Sequence, residues 1–340
     1  MRTAEFDYEL PPDCIAQRPA SPRDSSRLMV LDRVRGSIEH SQFARLPEFL
    51  RPGDTVVLNQ TRVIPGRLRV WKAPSGGRGE LLLLRRHGSR TWEALAGGRA
   101  HRLGTRLKVV GGPWAEIVED LGGGRRVVRF DSDISLELDR LGVPPLPPYI
   151  QEPLRDPNEY QTVFARHPGS AAAPTAGLHF TEDLLDQLIE RGVAVCRLTL
   201  HIGLDTFLPV TQADPSNHPI HTEWCHVDSE VSRSVQQARQ TGGRVIAIGT
   251  TTVRALETAA RQGASGDGLA PFEGPTDLFI LPGFEFRVVE ALVTNFHLPR
   301  STLLMMVAAF AGRERILEAY EVAKAEGYRF YSFGDAMLIL

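Results

Sequence analysis

Apolar and polar positions follow two different rhythms along this chain, and the change of rhythm divides it. After the turn Pro52-Gly53-Asp54, Thr55-Val56-Val57-Leu58 is a short continuous apolar run, the pattern of a buried strand, and polar Asn59-Gln60-Thr61-Arg62 breaks it. Residues 67–130 read differently. The runs Glu80–Leu84, Thr91–Ala96, Thr105–Val110, Trp114–Val118 and Arg125–Phe130 are separated by glycine-rich turns, which predicts a small antiparallel barrel or sandwich. The prolines of Pro144–Pro148 mark a stiff boundary. Beyond residue 160 strands and helices alternate. Thr181 caps a helix running to Arg191, Val193–Ile202 is a strand, Ser229–Gln240 a polar helix, Val245–Ile248 a strand and Thr250–Gln262 a helix. Phe286–Val293 is a further strand, and Ser301 caps the apolar helix Leu303–Phe310. Gly263–Gly268 reads as a flexible surface loop. Such alternation predicts an α/β domain with a largely buried sheet.

With 340 residues the chain has room for about two domains at roughly 150 residues each. No apolar run approaches the ~20 residues of a membrane span, and the start, MRTAEFDYELPPD, lacks a signal-peptide core. Cys14, Cys196 and Cys225 are too few and too scattered for a disulfide framework, so the expected setting is cytoplasmic. Nothing in the chain demands a dimer, and a monomer is expected. The net charge of −2 hides an asymmetry: residues 67–130 hold fourteen Arg or Lys against five acidic residues. A local surplus of arginine is an electrostatic footprint for a polyanion.

Four segments carry candidate chemistry. Gly169–Phe180, GSAAAPTAGLHF, consists mainly of small residues that let a ligand approach the backbone, and it ends in His179 between Leu178 and Phe180. Gly249-Thr250-Thr251-Thr252-Val253-Arg254 joins a buried strand to a helix, whose free N–H groups favour an anion, and Arg254 adds charge. His218–His226 gathers His221, Glu223 and Cys225 on one face of an extended strand. It has no paired Cys-x-x-Cys and no His-Glu-x-x-His, so an oriented general base fits it better than a metal site. Thr294–Ser301 presents Asn295 and His297 at another strand end, where ligands of open α/β sheets gather. His201 and Asp205 follow the 193–202 strand, and Asp335 lies in an apolar C-terminal stretch where a carboxylate needs a partner. There is no Walker loop, no Gly-x-Gly-x-x-Gly and no Gly-x-Ser-x-Gly.

In this order the motifs resemble the S-adenosylmethionine:tRNA ribosyltransferase-isomerase family of queuosine biosynthesis, nearly end to end. The resemblance rests on FDYELPPDCIAQRP, RDSSRLMVLDR, LRPGDTVVLNQTRVIPGRL, YQTVFA, AAAPTAGLHFT, HIGLDTFLPV, HPIHTEWCHV, GGRVIAIGTTTVRALE, the long run from Thr276 to Gly312, and YRFYSFGDAMLI. Two positions depart from the family pattern. Gly203-Leu204-Asp205-Thr206-Phe207 stands where the family usually has Gly-Ala-Gly-Thr-Phe, and Gln60 where an acid is frequent.

The resemblance implies a larger mixed α/β domain from 1–66 and 145–340, interrupted by an inserted small antiparallel β-barrel domain at 67–144. It implies that the ribosyl part of S-adenosylmethionine is transferred and isomerised onto 7-aminomethyl-7-deazaguanine at the wobble position of tRNA. The product is epoxyqueuosine, with adenine and methionine released. S-adenosylmethionine is then a co-substrate, with no metal or other cofactor.

Against that chemistry the residues take expected roles. A sulfonium acidifies the ribose C5′–H, and a neutral base must take that proton: His179, His201, His221 and His297 are the candidates, with Glu223 as orienter or alternative base. Thr250, Thr251, Thr252 and Arg254 suit the methionine carboxylate. Asp205, Asp277 or Asp335 suits the N–H edge of the deazaguanine, Phe180 or Phe296 would stack on a base, and Asn295 contacts substrate. Arg85, Arg86, Arg99, Arg102, Arg125 and Arg126 would bind tRNA phosphates. The rival expectations are a tRNA-binding paralogue without catalysis and a methyltransferase, the latter opposed by the missing Rossmann glycines.

Overall fold

A computed structural model describes residues 1–97, 102–203, 209–220, 222–262 and 269–340. The chain forms two compact units, one of residues 1–61, 148–167 and 173–340, the other of residues 62–147 and 168–172. The smaller unit thus starts at residue 62 and runs to 147, a few residues wider at each end than the 67–144 read from the sequence, and it recruits 168–172 as well.

The larger unit is built on a nine-stranded sheet among the described residues. Its centre is four parallel strands in the order Ala194–Leu200, Thr55–Asn59, Val245–Ile248 and Ala291–Asn295. Three of these are buried along their whole length, as expected for parallel strands covered on both faces. Antiparallel strands Glu223–Val227 and Phe272–Thr276 extend one side. On the other side Ala336–Ile339 runs antiparallel to 291–295, and Arg27–Leu31 and Ile38–Gln42 follow it. The helices start where their caps predict. The Thr181 hydroxyl accepts from the Leu184 N–H, Asp228 from Glu230 and Val231, and Ser301 from Leu304.

One expected strand moves. Phe286–Val293 has the composition of a strand, yet the strand spans Ala291–Asn295. The N–H groups of Arg287, Val288 and Val289 donate to the buried Glu257 carboxylate, so these three residues have no donors left for a sheet neighbour, and pairing starts only at Glu290, which donates to Val245. The proposed loop 263–268 lies outside the described residues.

In the smaller unit, antiparallel strands Arg67–Ala73, Arg78–Arg86, Thr91–Gly97, Trp114–Gly122 and Arg125–Phe130, with the short Arg106–Val109, close into a barrel. Closure comes from Arg67–Ala73, which pairs with Arg78–Arg86 on one side and Arg106–Val109 on the other. Closing removes the open edges that would invite aggregation. Leu68, Val70, Leu81, Leu83, Ala94, Leu107, Val109, Ile117 and Val128 fill the interior.

Candidate active site at the sheet edge

The register of the large sheet brings the singled-out segments to one edge. The four parallel strands end there at Leu200, Asn59, Ile248 and Asn295. Their antiparallel neighbours begin or end at the same edge, with Glu223 opposite Thr276 and Ala336 opposite Asn295. Residues scattered from 26 to 335 in sequence therefore share one rim, the usual place for a ligand in an open α/β sheet.

Two adjoining clefts open on this rim, and Leu303 lines both. The smaller, about 350 Å³ counting the space open to solvent, is bounded by Thr175, Ala176, Gly249, Thr250, Asn295 and His297. Gly249 has φ +87, the left-handed turn that links the 245–248 strand to the helix Thr250–Gln262. Gly249, Thr250 and Thr251 at the start of that helix line the cleft, and a helix start is a favourable place for an anion. The larger cleft, about 490 Å³ counting the space open to solvent, is bounded by Glu223, Arg254, Gly203, His218, Phe279 and Met306.

Besides His218, which lines the larger cleft, three imidazoles sit on this rim, and these three are held neutral. His179 is buried, its Nδ1 2.8 Å from the Ser26 hydroxyl and its Nε2 3.3 Å from the Asn295 side-chain nitrogen, and it stacks on Phe43. His201 is 2.8 Å from the Thr61 hydroxyl through Nδ1 and stacks on Trp224. His297 holds the Thr294 hydroxyl at 2.6 Å through Nε2 and lines the smaller cleft. Desolvation pushes His179 and His201 down to about 4 and His297 to about 3. For His179, the nearby Asp335 carboxylate partly opposes that effect.

These shifts carry a stability signature. The folded pKa values lie below the unfolded value of about 6.5, so below that pH the unfolded chain binds protons that the folded chain refuses. Their contribution is complete above about pH 6.5 and is lost as pH falls to about 4 for His179 and His201 and to about 3 for His297. We expect the unfolding free energy, from urea denaturation, to drop by a few kcal/mol across that window, with His297→Gln flattening the drop.

The structure divides the other expected site residues. Thr250 lines the smaller cleft and its hydroxyl has no hydrogen bond among the described residues. Thr251 accepts from Asn59, and the Thr252 hydroxyl is spent on the Ile248 carbonyl, so it serves the helix start rather than a ligand. Arg254 is buried and already paired with Glu223, and its Nε donates to the Leu278 carbonyl. Glu223 also accepts the Gly203 N–H at 2.8 Å. Asp277 is exposed just beyond the 272–276 strand.

Three expectations need correction. The Asp335 carboxylate accepts the backbone N–H groups of Arg27 and Arg329 and an Arg329 side-chain N–H. Those bonds tie a loop to two strand starts and occupy the acceptors a base edge would need. Phe180 is fully buried against Phe43 and Phe164, and Phe296 against Tyr320 and Phe330, so neither offers a ring face to a nucleobase. Gly177 of the small-residue strip serves packing: a Cβ on it would lie 2.7 Å from the Phe164 ring. His221, Asp205 and Arg99 lie outside the described residues. Among the described residues no cluster of three or more His, Cys, Asp or Glu could hold a metal ion, and no helix is long and apolar enough to cross a membrane.

Sequence reading missed polar residues that tie this rim together, two of which, Ser26 and Thr61, sit directly on imidazoles. Asn59 bridges two strand ends: its carbonyl oxygen accepts from Leu200 and Thr61, and its amide donates to the Leu200 carbonyl. Ser26, Thr61 and Thr175 complete the set, Thr175 donating to the Asn295 side-chain oxygen at 2.9 Å. The signal was a polar residue placed right at the end of an apolar run.

On the barrel, several expected phosphate ligands are occupied. Arg86 pairs with Asp133 at 2.8 Å, Arg125 with Glu93 and Arg126 with Asp120, each at 2.6 Å. Arg85 and Arg102 are exposed, with no carboxylate partner among the described residues.

Fold and cleft together define an α/β protein with clefts at the carboxyl ends of its parallel strands and a closed β-barrel unit. The chain belongs to the family described as queuosine biosynthesis protein, whose model matches residues 3–339. It is 52% identical to the S-adenosylmethionine:tRNA ribosyltransferase-isomerase of Symbiobacterium thermophilum, over all of both chains. It is 53% identical to the protein of that name from Thermus thermophilus, over 98% of each. A crystal structure of S-adenosylmethionine tRNA ribosyltransferase from Thermotoga maritima superposes with a TM-score of 0.58 at 40% identity, covering 99% of this chain and 100% of that one.

Proposed function

We propose that this chain transfers and isomerises the ribosyl moiety of S-adenosylmethionine onto 7-aminomethyl-7-deazaguanine at the wobble position of tRNA, releasing adenine and methionine. The observation that carries the reading is the smaller cleft. It puts an uncharged imidazole, His297, beside a helix start suited to a carboxylate and a floor of small residues suited to a nucleoside. Family membership and the names of the relatives supply the substrates.

In this proposal His297 is the base that takes the C5′ proton. Of the three rim imidazoles that desolvation holds neutral, it is the one that lines a cleft among the described residues; His218 lines the larger cleft, away from the helix start. Its low pKa ensures the neutral form but weakens it as a base. A methionine carboxylate held at the helix start would restore basicity through its negative charge. Asn295, with its amide fixed between Thr175 and His179, presents its remaining polar valence to the substrate. His179 has both ring nitrogens engaged, so its role is to orient Asn295. S-adenosylmethionine is consumed as a co-substrate, and the scheme needs no metal or redox group.

The test is product analysis after incubation with S-adenosylmethionine and tRNA bearing the aminomethyl base. Equal yields of adenine, methionine and a ribosyl-modified wobble nucleoside are expected. S-adenosylhomocysteine would instead indicate methyl transfer, and tRNA binding without adenine release would indicate a paralogue without catalysis.

A further inference from the structure

One outer face of the barrel combines indoles and cations in a way that the expected phosphate-binding arginines do not. Val70, Leu107, Val109 and Ala115 point into the core. Side chains alternate along a strand, so Trp71, Arg106, Lys108 and Trp114 point outward. The register puts Arg78 opposite Trp71, Trp71 opposite Lys108 and Lys108 opposite Trp114. The result is one continuous row across four strands, and it exists because the 67–73 strand closes the barrel onto 106–109.

The row is cationic and flat. The Arg78 guanidinium lies 5.3 Å from the Trp71 ring centre, and Arg106 and Lys108 lie 5.0 Å and 5.2 Å from that of Trp114. Such pairs hold the indoles in place. Trp71 keeps 39% of its surface exposed, unusual for so large an apolar side chain. Arg69, two residues before Trp71, is exposed on the same face. Two acids share the face, Glu80 opposite Arg69 and Glu116 opposite Arg106, and each is ion-paired with another arginine, Glu80 with Arg67 and Glu116 with Arg129. Arg69, Arg78, Arg106 and Lys108 therefore have no carboxylate partner among the described residues.

We propose that this face, centred on Trp71 and flanked by Arg69, Arg78, Arg106 and Lys108, binds unpaired nucleotides of an RNA, with a base stacked on Trp71 and phosphates on the cations. Charge complementarity selects a polyanion. The exposed indole selects among polyanions: a duplex buries its base faces, whereas a single-stranded segment offers them. An acidic peptide would use the cations and leave the indole without a flat partner. The inference shares with the proposed function the premise that RNA is the partner, but it is independent of the reaction performed.

The test uses the full chain, an RNA hairpin with an unpaired loop, and a blunt RNA duplex of the same length. The hairpin should quench tryptophan fluorescence and bind about 10-fold tighter than the duplex. Trp71→Ala should weaken hairpin binding roughly 10-fold while leaving duplex binding and the salt slope unchanged, and Trp71→Phe should retain most of the affinity. The proposal is overturned if the wild-type chain binds hairpin and duplex alike, if Trp71→Ala binds the hairpin as wild type does, or if an acidic peptide competes better than RNA. Adenine release is read separately. Stacking on Trp71 without adenine release would sink the proposed function and leave this face standing, and the converse result would do the opposite.

Discussion

Replacing His297 with alanine should lower the rate of adenine release by about 100-fold or more, the usual contribution of a positioned general base. The loss should fall on kcat rather than KM, because the imidazole is assigned to the transition state and not to holding the nucleoside. His179→Ala provides the contrast. That ring is stacked on Phe43 and bonded to Ser26 and Asn295, so its removal frees the Asn295 amide and should raise KM along with any fall in kcat. Steady-state adenine release with each variant separates the two roles. A wild-type rate in His297→Ala would remove it as the base.

The second large effect concerns stability. Glu223 and Arg254 form an ion pair with 4% and 8% of their side chains exposed. Glu223→Ala leaves the guanidinium buried without its counter-charge, and we expect a loss of about 3–5 kcal/mol in urea denaturation. A double replacement, Glu223→Leu with Arg254→Met, should recover most of that loss, because two apolar side chains of similar size remove both charges together. Equal losses in single and double variants would show that the pair contributes nothing beyond its packing.

These two sites differ in how far the sequence disclosed them. The strands 55–59 and 245–248 were legible because parallel strands buried on both faces are continuous apolar runs. The helix starts at Thr181 and Ser301 were legible from their caps. The placing of Asn295, His297 and Thr250 at strand ends was legible for the same reason. Which of them face a cleft was not, because that depends on long-range partners. Asp335 has the sequence context of a ligand-binding carboxylate, but it is consumed by Arg27, more than three hundred residues away. Phe180 follows a candidate histidine, but it packs on Phe43, far earlier in the chain.

The barrel teaches the same lesson through register. The count of arginines indicated a polyanion, and the individual arginines could not be ranked by counting. Arg125 and Arg126 look alike in sequence to Arg69 and Arg78. Cross-strand pairing gives the first two carboxylate partners and leaves the second two beside an exposed indole. Closure of the barrel, which brings Lys108 beside Trp71, is a contact of first and fourth strands that local pattern does not encode.

The most direct test of the account follows the hydrogen it says is removed. S-adenosylmethionine carrying two deuterium atoms at C5′ is incubated with the protein and tRNA bearing 7-aminomethyl-7-deazaguanine, and the wobble nucleoside is isolated and weighed by mass spectrometry. Removal of one C5′ proton by a neutral base predicts a ribosyl-derived adduct that retains one deuterium, with adenine and methionine released in equal amount. An adduct that retains both deuterium atoms, or a nucleoside that gains only a methyl group, would contradict it.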